Sequence, residues 1–147
     1  MRLAYEMEYI HPTKEDPVIE LIKYSSQYQE EYKRIYNEGY HEMREALDIK
    51  PYDFIQDNSF FEDGMDDVFL LLNNNEIVGT VALKIDEIDD LIVNRKYQGK
   101  GYGKQILLWA IKNIQTQKPI LHVAGWNEKA IVLYKNVGFE IIETIEI

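Results

Sequence analysis

No cysteine occurs in the chain, which excludes disulfide staples, thiolate metal sites and a cysteine nucleophile. Positive charge is scarce: 16 lysines and arginines stand against 26 aspartates and glutamates, a formal net charge of −10. A chain this acidic repels nucleic-acid phosphates and anionic membrane surfaces, so neither is expected as a partner. The same field attracts cationic substrates. Long apolar runs are missing too. Val68 to Leu72, the longest obvious one, is far too short to cross a bilayer. The opening residues MRLAYEMEYI carry Glu6 and Glu8 and contain no apolar stretch of the signal-peptide type. These absences lead to the expectation of a cytoplasmic protein. His11, His41 and His122 lie far apart without metal-ligand spacing, so no metal is expected.

What is present suits a single folded unit. With 147 residues, 46% of them hydrophobic, the chain has enough apolar surface for one sheet covered by helices, and 1–147 is read as one domain. Residues 1–17 form an N-terminal arm or an extra strand, which the turn through Pro12 and Pro17 would pair with a strand over Val18–Tyr24. From Gln27 to Leu47 apolar residues recur at steps of three and four, giving an amphipathic helix capped by Ser25 or Ser26 and broken near Gly39. Pro51 to Gly64 leaves room for a short helix. Val68–Leu72 and Ile77–Ile85 make a hairpin around Asn73-Asn74-Asn75-Glu76, and Ile88–Val93 is the next strand. Helices over Gly103–Ile114 and Asn127–Val137 enclose a strand at Ile120–Ala124, and Phe139–Ile147 is the last strand. The fold class is therefore α/β in the mixed, α+β sense: a mainly antiparallel sheet flanked by helices, with a parallel pairing at the strand–helix–strand crossover.

The informative stretch runs from Leu91 to Lys104. The strand end Leu91-Ile92-Val93 leads to Gln98-Gly99-Lys100-Gly101-Tyr102-Gly103-Lys104, a glycine-rich turn that opens directly into a helix. Glycine permits positive φ and removes Cβ, so backbone N–H groups can converge on an anion at the positive end of the helix. Lys100 and Lys104 add positive charge there. The spacing fits neither the P-loop, which needs a Ser or Thr after the lysine, nor the G-x-G-x-x-G dinucleotide turn.

Gln98-x-x-Gly101-x-Gly103 after this strand resembles motif A of the GNAT N-acetyltransferase superfamily. A second match follows in order. Leu121-His122-Val123, then Asn127, Ala130, Leu133-Tyr134 and Gly138-Phe139, is similar to motif B of that family. The resemblance implies a GNAT-like acyl-CoA N-acyltransferase fold and acetyl-CoA as co-substrate. Backbone N–H groups from Gln98 to Lys104 would hold the pyrophosphate. Leu91, Ile92 and Val93 would run along the pantetheine arm, Asn127 would touch its edge or simply cap its helix, and Tyr134 would protonate the departing thiolate.

A thioester is attacked by a neutral amine, so a base is needed. Glu87, Asp89 and Asp90 lie at the start of the strand before the loop. On an unbulged strand Glu87 and Asp89 share the parity of Leu91 and Val93, which makes them the candidate bases. The acceptor expected is an amine of a small molecule or peptide, with His41 and Trp126 as candidate pocket residues. The alternative is an acyl-CoA-binding or sensor domain of the same fold without turnover. The family usually adds a strand after the Gly-Phe strand. Here that edge would be open, covered by the N-terminal arm, or supplied by a second subunit in a homodimer.

Overall fold

The computed structural model describes residues 2–147. Seven strands and three α-helices follow in the order β1 Leu3–Tyr9, β2 Ile22–Lys23, α1 Gln29–Ala46, β3 Val68–Asn73, β4 Glu76–Leu83, β5 Ile88–Val93, α2 Tyr102–Asn113, β6 Ile120–Ala124, α3 Glu128–Val137 and β7 Phe139–Glu146. They form two sheets, β2-β3-β4-β5 and β6-β1-β7, in which all strand pairings are antiparallel.

The first sheet is a meander. Its central hairpin turns on Asn74 and Asn75, both at positive φ (50° and 64°), a conformation that asparagine tolerates and that matches the twist of two-residue hairpins. α1 packs on one face, burying Tyr32 and Ile35 against Leu70, Ile77 and Ala82. It runs unbroken through Gly39, contrary to the break expected there. The glycine serves close approach: a Cβ at this position would lie 2.9 Å from Ile92 Cγ2 of β5. Neither Ser25 nor Ser26 provides a side-chain cap, and a 3-10 turn over Ser26–Tyr28 precedes the helix instead. The segment before Gly64 contributes a 3-10 turn at Asn58–Phe61. The other face of the sheet is covered by α2, whose Ile106, Leu107 and Ala110 are fully buried.

The N-terminal segment departs from expectation. Rather than pairing with Val18–Tyr24, β1 lies between β6 and β7 and hydrogen-bonds to both. Of the three possibilities for the edge of the last strand, cover by the N-terminal arm is therefore the one observed on this side of β7. Alternation explains the choice: Met7 and Tyr9 are buried with Phe139, Leu121 and Val137, while Glu6 and Glu8 point to the opposite face. The long strand expected over Val18–Tyr24 shrinks to Ile22–Lys23. Residues before it cross α2 and bond to its side chains, so they have no ladder to join. Val18 N–H donates to Gln105 Oε1 at 2.8 Å, Lys104 pairs with Glu15 at 3.0 Å, and Trp109 Nε1–H donates to Glu20 at 3.3 Å.

Among the described residues the two sheets touch through a single parallel bridge, Glu87 opposite Ile120, next to an Ile120 N–H to Asp86 carbonyl bond of 2.9 Å. Beyond it β5 and β6 separate, so the parallel pairing expected at the crossover is almost absent. The separation leaves a cleft.

Candidate active site

The cleft has a volume of about 500 Å³. β5 from Ile88 to Val93 forms one wall and β6 from Leu121 to Ala124 the other, with Tyr40, Glu42 and Met43 of α1 closing one side. Gln98, Asn127, Trp126 and Tyr134 complete the lining. The two motif segments, some thirty residues apart in sequence, therefore meet at one cavity.

At the end of β5 the chain makes a 3-10 turn, Arg95–Tyr97, fixed by the buried Asn94, whose side chain accepts from Lys96 N–H and donates to the Ile77 carbonyl. Gln98 Nε2 donates back to the Val93 carbonyl at 3.1 Å, so this side chain braces the turn. Gly99 and Gly101 then adopt φ of 79° and 87°, where a side chain is strained, and a Cβ at either would meet open space. Gly103 lies within α2 at an ordinary φ, so it does not need the left-handed freedom that the spacing suggested; a Cβ there would touch Val93 and Leu133 at ordinary distances. α2 begins at Tyr102 with Gly101 as its cap, and no side chain caps it. An uncapped helix N-terminus beside an open glycine turn presents free N–H groups and partial positive charge to an anion. Lys100 lies 5.8 Å from the centre of the Tyr97 ring, and Lys104 is held by Glu15.

β5 is bulged. Gly79 and Thr80 face Val93 and Ile92, but Ala82 and Leu83 face Asp89 and Ile88, so β5 carries one extra residue. The bulge coincides with Asp90, at φ 49°. It overturns the parity argument for Glu87 and Asp89. Ile88 joins Leu91 and Val93 on the α2 side, and Asp89 falls on the other face with Ile92. Asp89 Oδ1 accepts from the Asp90 N–H at 2.8 Å, stabilising the bulge. Glu87 is bonded to His122 Nδ1 at 2.9 Å, and His122 Nε2 meets Glu6 at 3.0 Å.

Asp90 is the residue that sequence reasoning passed over. Its carboxylate receives the Tyr40 hydroxyl at 2.5 Å, and its carbonyl receives the Thr80 hydroxyl at 3.1 Å. Burial raises its pKa to about 6; Tyr40's hydrogen bond opposes the rise, and the neighbouring Asp89 adds to it. A bulge is invisible to period-two reading, and Tyr40 is 50 residues away, so no local signal marked it.

Tyr134 lines the cleft, its ring 6.2 Å from that of Phe139 and tilted 58° to it. Its hydroxyl has no hydrogen-bond partner among the described residues, and burial holds its pKa above the usual value, so it stays protonated. Asn127 caps its helix, its side chain accepting from Ala130 N–H at 3.3 Å, and the residue also lines the cleft. Trp126 is on the lining, but His41 is not; it is paired with Asp53 and Glu45 at 2.9 and 3.0 Å.

Comparison with known proteins agrees with this fold. The solved structures that are similar include a GNAT-family acetyltransferase from Colwellia psychrerythraea, 11% identical with a TM-score of 0.76, matching 97% of this chain and 53% of its own. Another, a GNAT-family protein from Novosphingobium aromaticivorans, is 16% identical with a TM-score of 0.66 over 97% of this chain and 61% of its own. The chain thus spans only a little over half the length of these two. An N-acetyltransferase from Staphylococcus aureus is nearer in size: 14% identity, TM-score 0.66, 87% of this chain and 94% of its own. At these identities the likeness is one of fold. No curated protein matches the sequence. The family model described as Acetyltransferase (GNAT) family matches residues 26–139, which takes in the glycine turn, Asp90, Asn127 and Tyr134. On that match, covering well over half of its length, the chain belongs to the GNAT acetyltransferase family.

Proposed function

We propose that this chain transfers an acetyl group from acetyl-CoA to an amine by direct attack. One observation carries the reading: an uncapped helix N-terminus with two open, positive-φ glycines stands at one end of a gap between two splayed strands. A long, thin ligand with a pyrophosphate at one end fits that shape, since the glycine turn suits the anion and the gap suits a pantetheine arm. Acetyl-CoA supplies the activated acyl group when it is bound. The residues around it have these roles. N–H groups from Gly99 to Lys104 hold the pyrophosphate, and the backbone of Leu91, Ile92 and Val93, left without a strand partner on the β6 side, orients the pantetheine amides.

Asp90 takes a proton from the incoming ammonium. A carboxylate with a pKa of about 6 is ionised at neutral pH and still basic enough to accept it, directly or through one water. Tyr40 fixes the carboxylate's rotamer. On the opposite side Tyr134, protonated and unpartnered, delivers a proton to the departing sulfur as the carbon–sulfur bond breaks. No covalent bond to the protein forms.

The test is calorimetry with acetyl-CoA. Gly101→Val forces a β-branched residue to φ 87° but meets no neighbouring atom, so it should fold and lose affinity by on the order of 100-fold. Unchanged affinity in a folded Gly101→Val protein would show that the anion binds elsewhere.

A further inference from the structure

The acceptor end of the cleft carries one sign of charge. Glu42, Asp89 and Asp90 line it, and no lysine or arginine does. Its single histidine, His122, is already engaged by Glu6 and Glu87. Glu42 is exposed and has no ion-pair or hydrogen-bond partner among the described residues.

The acidic lining continues onto the outer face of the sheet β6-β1-β7, the face opposite buried Met7 and Tyr9. In register, Glu6 of β1 stands between His122 of β6 and Glu143 of β7, and Glu8 stands opposite Glu140. Like charges directly opposed across two strands destabilise a sheet. Histidine relieves part of this: His122 meets Glu6, and His11 meets Glu140 at 3.1 Å. Glu143 is exposed and has no such partner among the described residues. The fold therefore holds a row of opposed carboxylates, Glu6 and Glu8 of β1 facing Glu143 and Glu140 of β7, that adjoins His122 on the wall of the cleft; Arg2, over the Trp126 ring at 5.2 Å, is a cation near the same wall.

Resting on the acetyl-transfer reading above, we infer that the acceptor is a linear polyamine. One terminal amine enters the cleft at Asp90, and the other ammonium groups lie against Glu42 and the Glu6–Glu143 row. Adjacent strands are about 4.8 Å apart, which is the scale of ammonium groups separated by propyl or butyl spacers. The row itself offers side-chain carboxylates rather than a backbone ladder, because β1 is hydrogen-bonded on both sides; the outer edge of β7 is unpaired among the described residues, so an added peptide strand is the competing occupant that the test includes.

Acetyl-CoA-dependent thiol release is measured with spermidine and with n-butylamine, which share a primary amine and differ in further charge. Spermidine should exceed butylamine in kcat/KM by at least about tenfold at low salt, the lower end of electrostatic enhancement. The excess should shrink from about 0.01 M to about 1 M salt, as the screening length falls from about 30 Å to about 3 Å. Glu143→Gln and Glu42→Gln, both surface changes, should each lower the spermidine-to-butylamine ratio about two- to fivefold, the scale of an exposed ion pair. A ratio near one, a ratio that neither variant moves, or a lysine-rich peptide outcompeting spermidine would each overturn the inference. Calorimetry of spermidine alone separates it from the reading on which it rests. If acetyl-CoA fails to bind, acetyl transfer is wrong, yet saturable spermidine binding weakened by Glu143→Gln still upholds the polycation surface, and absence of spermidine binding refutes it.

Discussion

The β5 wall of the cleft belongs to a meander whose strands follow one another along the chain, whereas the β6 wall is held by β1, from which it is separated by over a hundred residues (Glu6 and His122 are 116 apart). The β5 wall carries its chemistry in irregularities: a bulge with a left-handed aspartate, then a glycine turn with two positive φ angles. The β6 wall is a regular strand, and the groups it offers come from its register against β1 and from the helix that follows. Local irregularity shapes the β5 wall; distant pairing holds the β6 wall apart from it. Splayed strands cannot hold each other, so each needs a partner on its far side, β4 for one and β1 for the other.

If the β5 wall holds the chemistry, its bulge residue should be the most sensitive position. Asp90→Asn is expected to lower turnover by on the order of 10³-fold, within the range of a positioned base. It should also remove the acidic limb of the kcat/KM profile, which in the wild type should fall as pH drops through about 6 because the carboxylate must be ionised to accept a proton. Retention of that limb in Asp90→Asn would hand the role to Glu87 or Asp89.

The β6 wall should break through stability instead. Met7 is fully buried at the centre of β1, so Met7→Ala should cost about 2–5 kcal/mol by leaving a cavity beneath both neighbouring strands. Denaturant titration measures the loss. If the difference between the walls is right, kcat per folded molecule changes far less than in Asp90→Asn.

How far the sequence revealed this depends on distance along the chain. The β3–β4 hairpin, β5, α2, β6 and α3 were legible because strand period, asparagine turn and helix caps are local signals. The positions of the glycine turn and of Tyr134 beside the cleft were legible because motif spacing is local too. β1 was misplaced for the opposite reason. The alternation in Leu3–Tyr9 says which side chains are buried, but period two does not name the partner strand, and the proline-marked turn pointed to the nearest one. The segment after it read as a strand because Val18, Ile19, Leu21 and Ile22 are β-formers, yet Val18 is 84% exposed where the chain straps over α2. Asp90 escaped because one inserted residue reverses the facing of everything before it. Parity put Glu87 and Asp89 on the face of Leu91 and Val93, and the register with β4 moves them to the other face, where Asp89 still lines the cleft and Glu87 does not.

Tyr134→Phe tests the one catalytic group assigned to the β6 side, on the helix that follows that strand. Acetyl-CoA affinity should be preserved, since the ring still packs on Phe139, and turnover should fall by on the order of 10²-fold. Equal turnover in the two proteins would mean that water protonates the sulfur, and the comparison would sharpen to a β5 wall that does all of the proton chemistry.

The smallest effect has the most informative sign. A carboxyl whose pKa is raised on folding binds its proton more tightly in the native state than in the unfolded one. Its contribution is therefore most stabilising below the unfolded pKa, near 4, and is lost as pH rises through about 6. Above that pH the buried, ionised Asp90 is a net burden, with the Tyr40 hydrogen bond offsetting part of it. Two pKa units correspond to about 2.7 kcal/mol, an upper figure because the site opens to a cleft. Asp90→Asn keeps the shape and the acceptor oxygen for Tyr40 while removing the charge. It should raise stability by about 1–2 kcal/mol at pH 7.5 and by nothing at pH 4, read as the difference in denaturation free energy at the two pH values. The same substitution is predicted to destroy turnover, so strain at this residue would be held for function rather than for folding. Should Asp90→Asn destabilise at pH 7.5, the carboxylate is stabilised by its bulge, and the base must be sought among groups with a raised pKa elsewhere in the cleft.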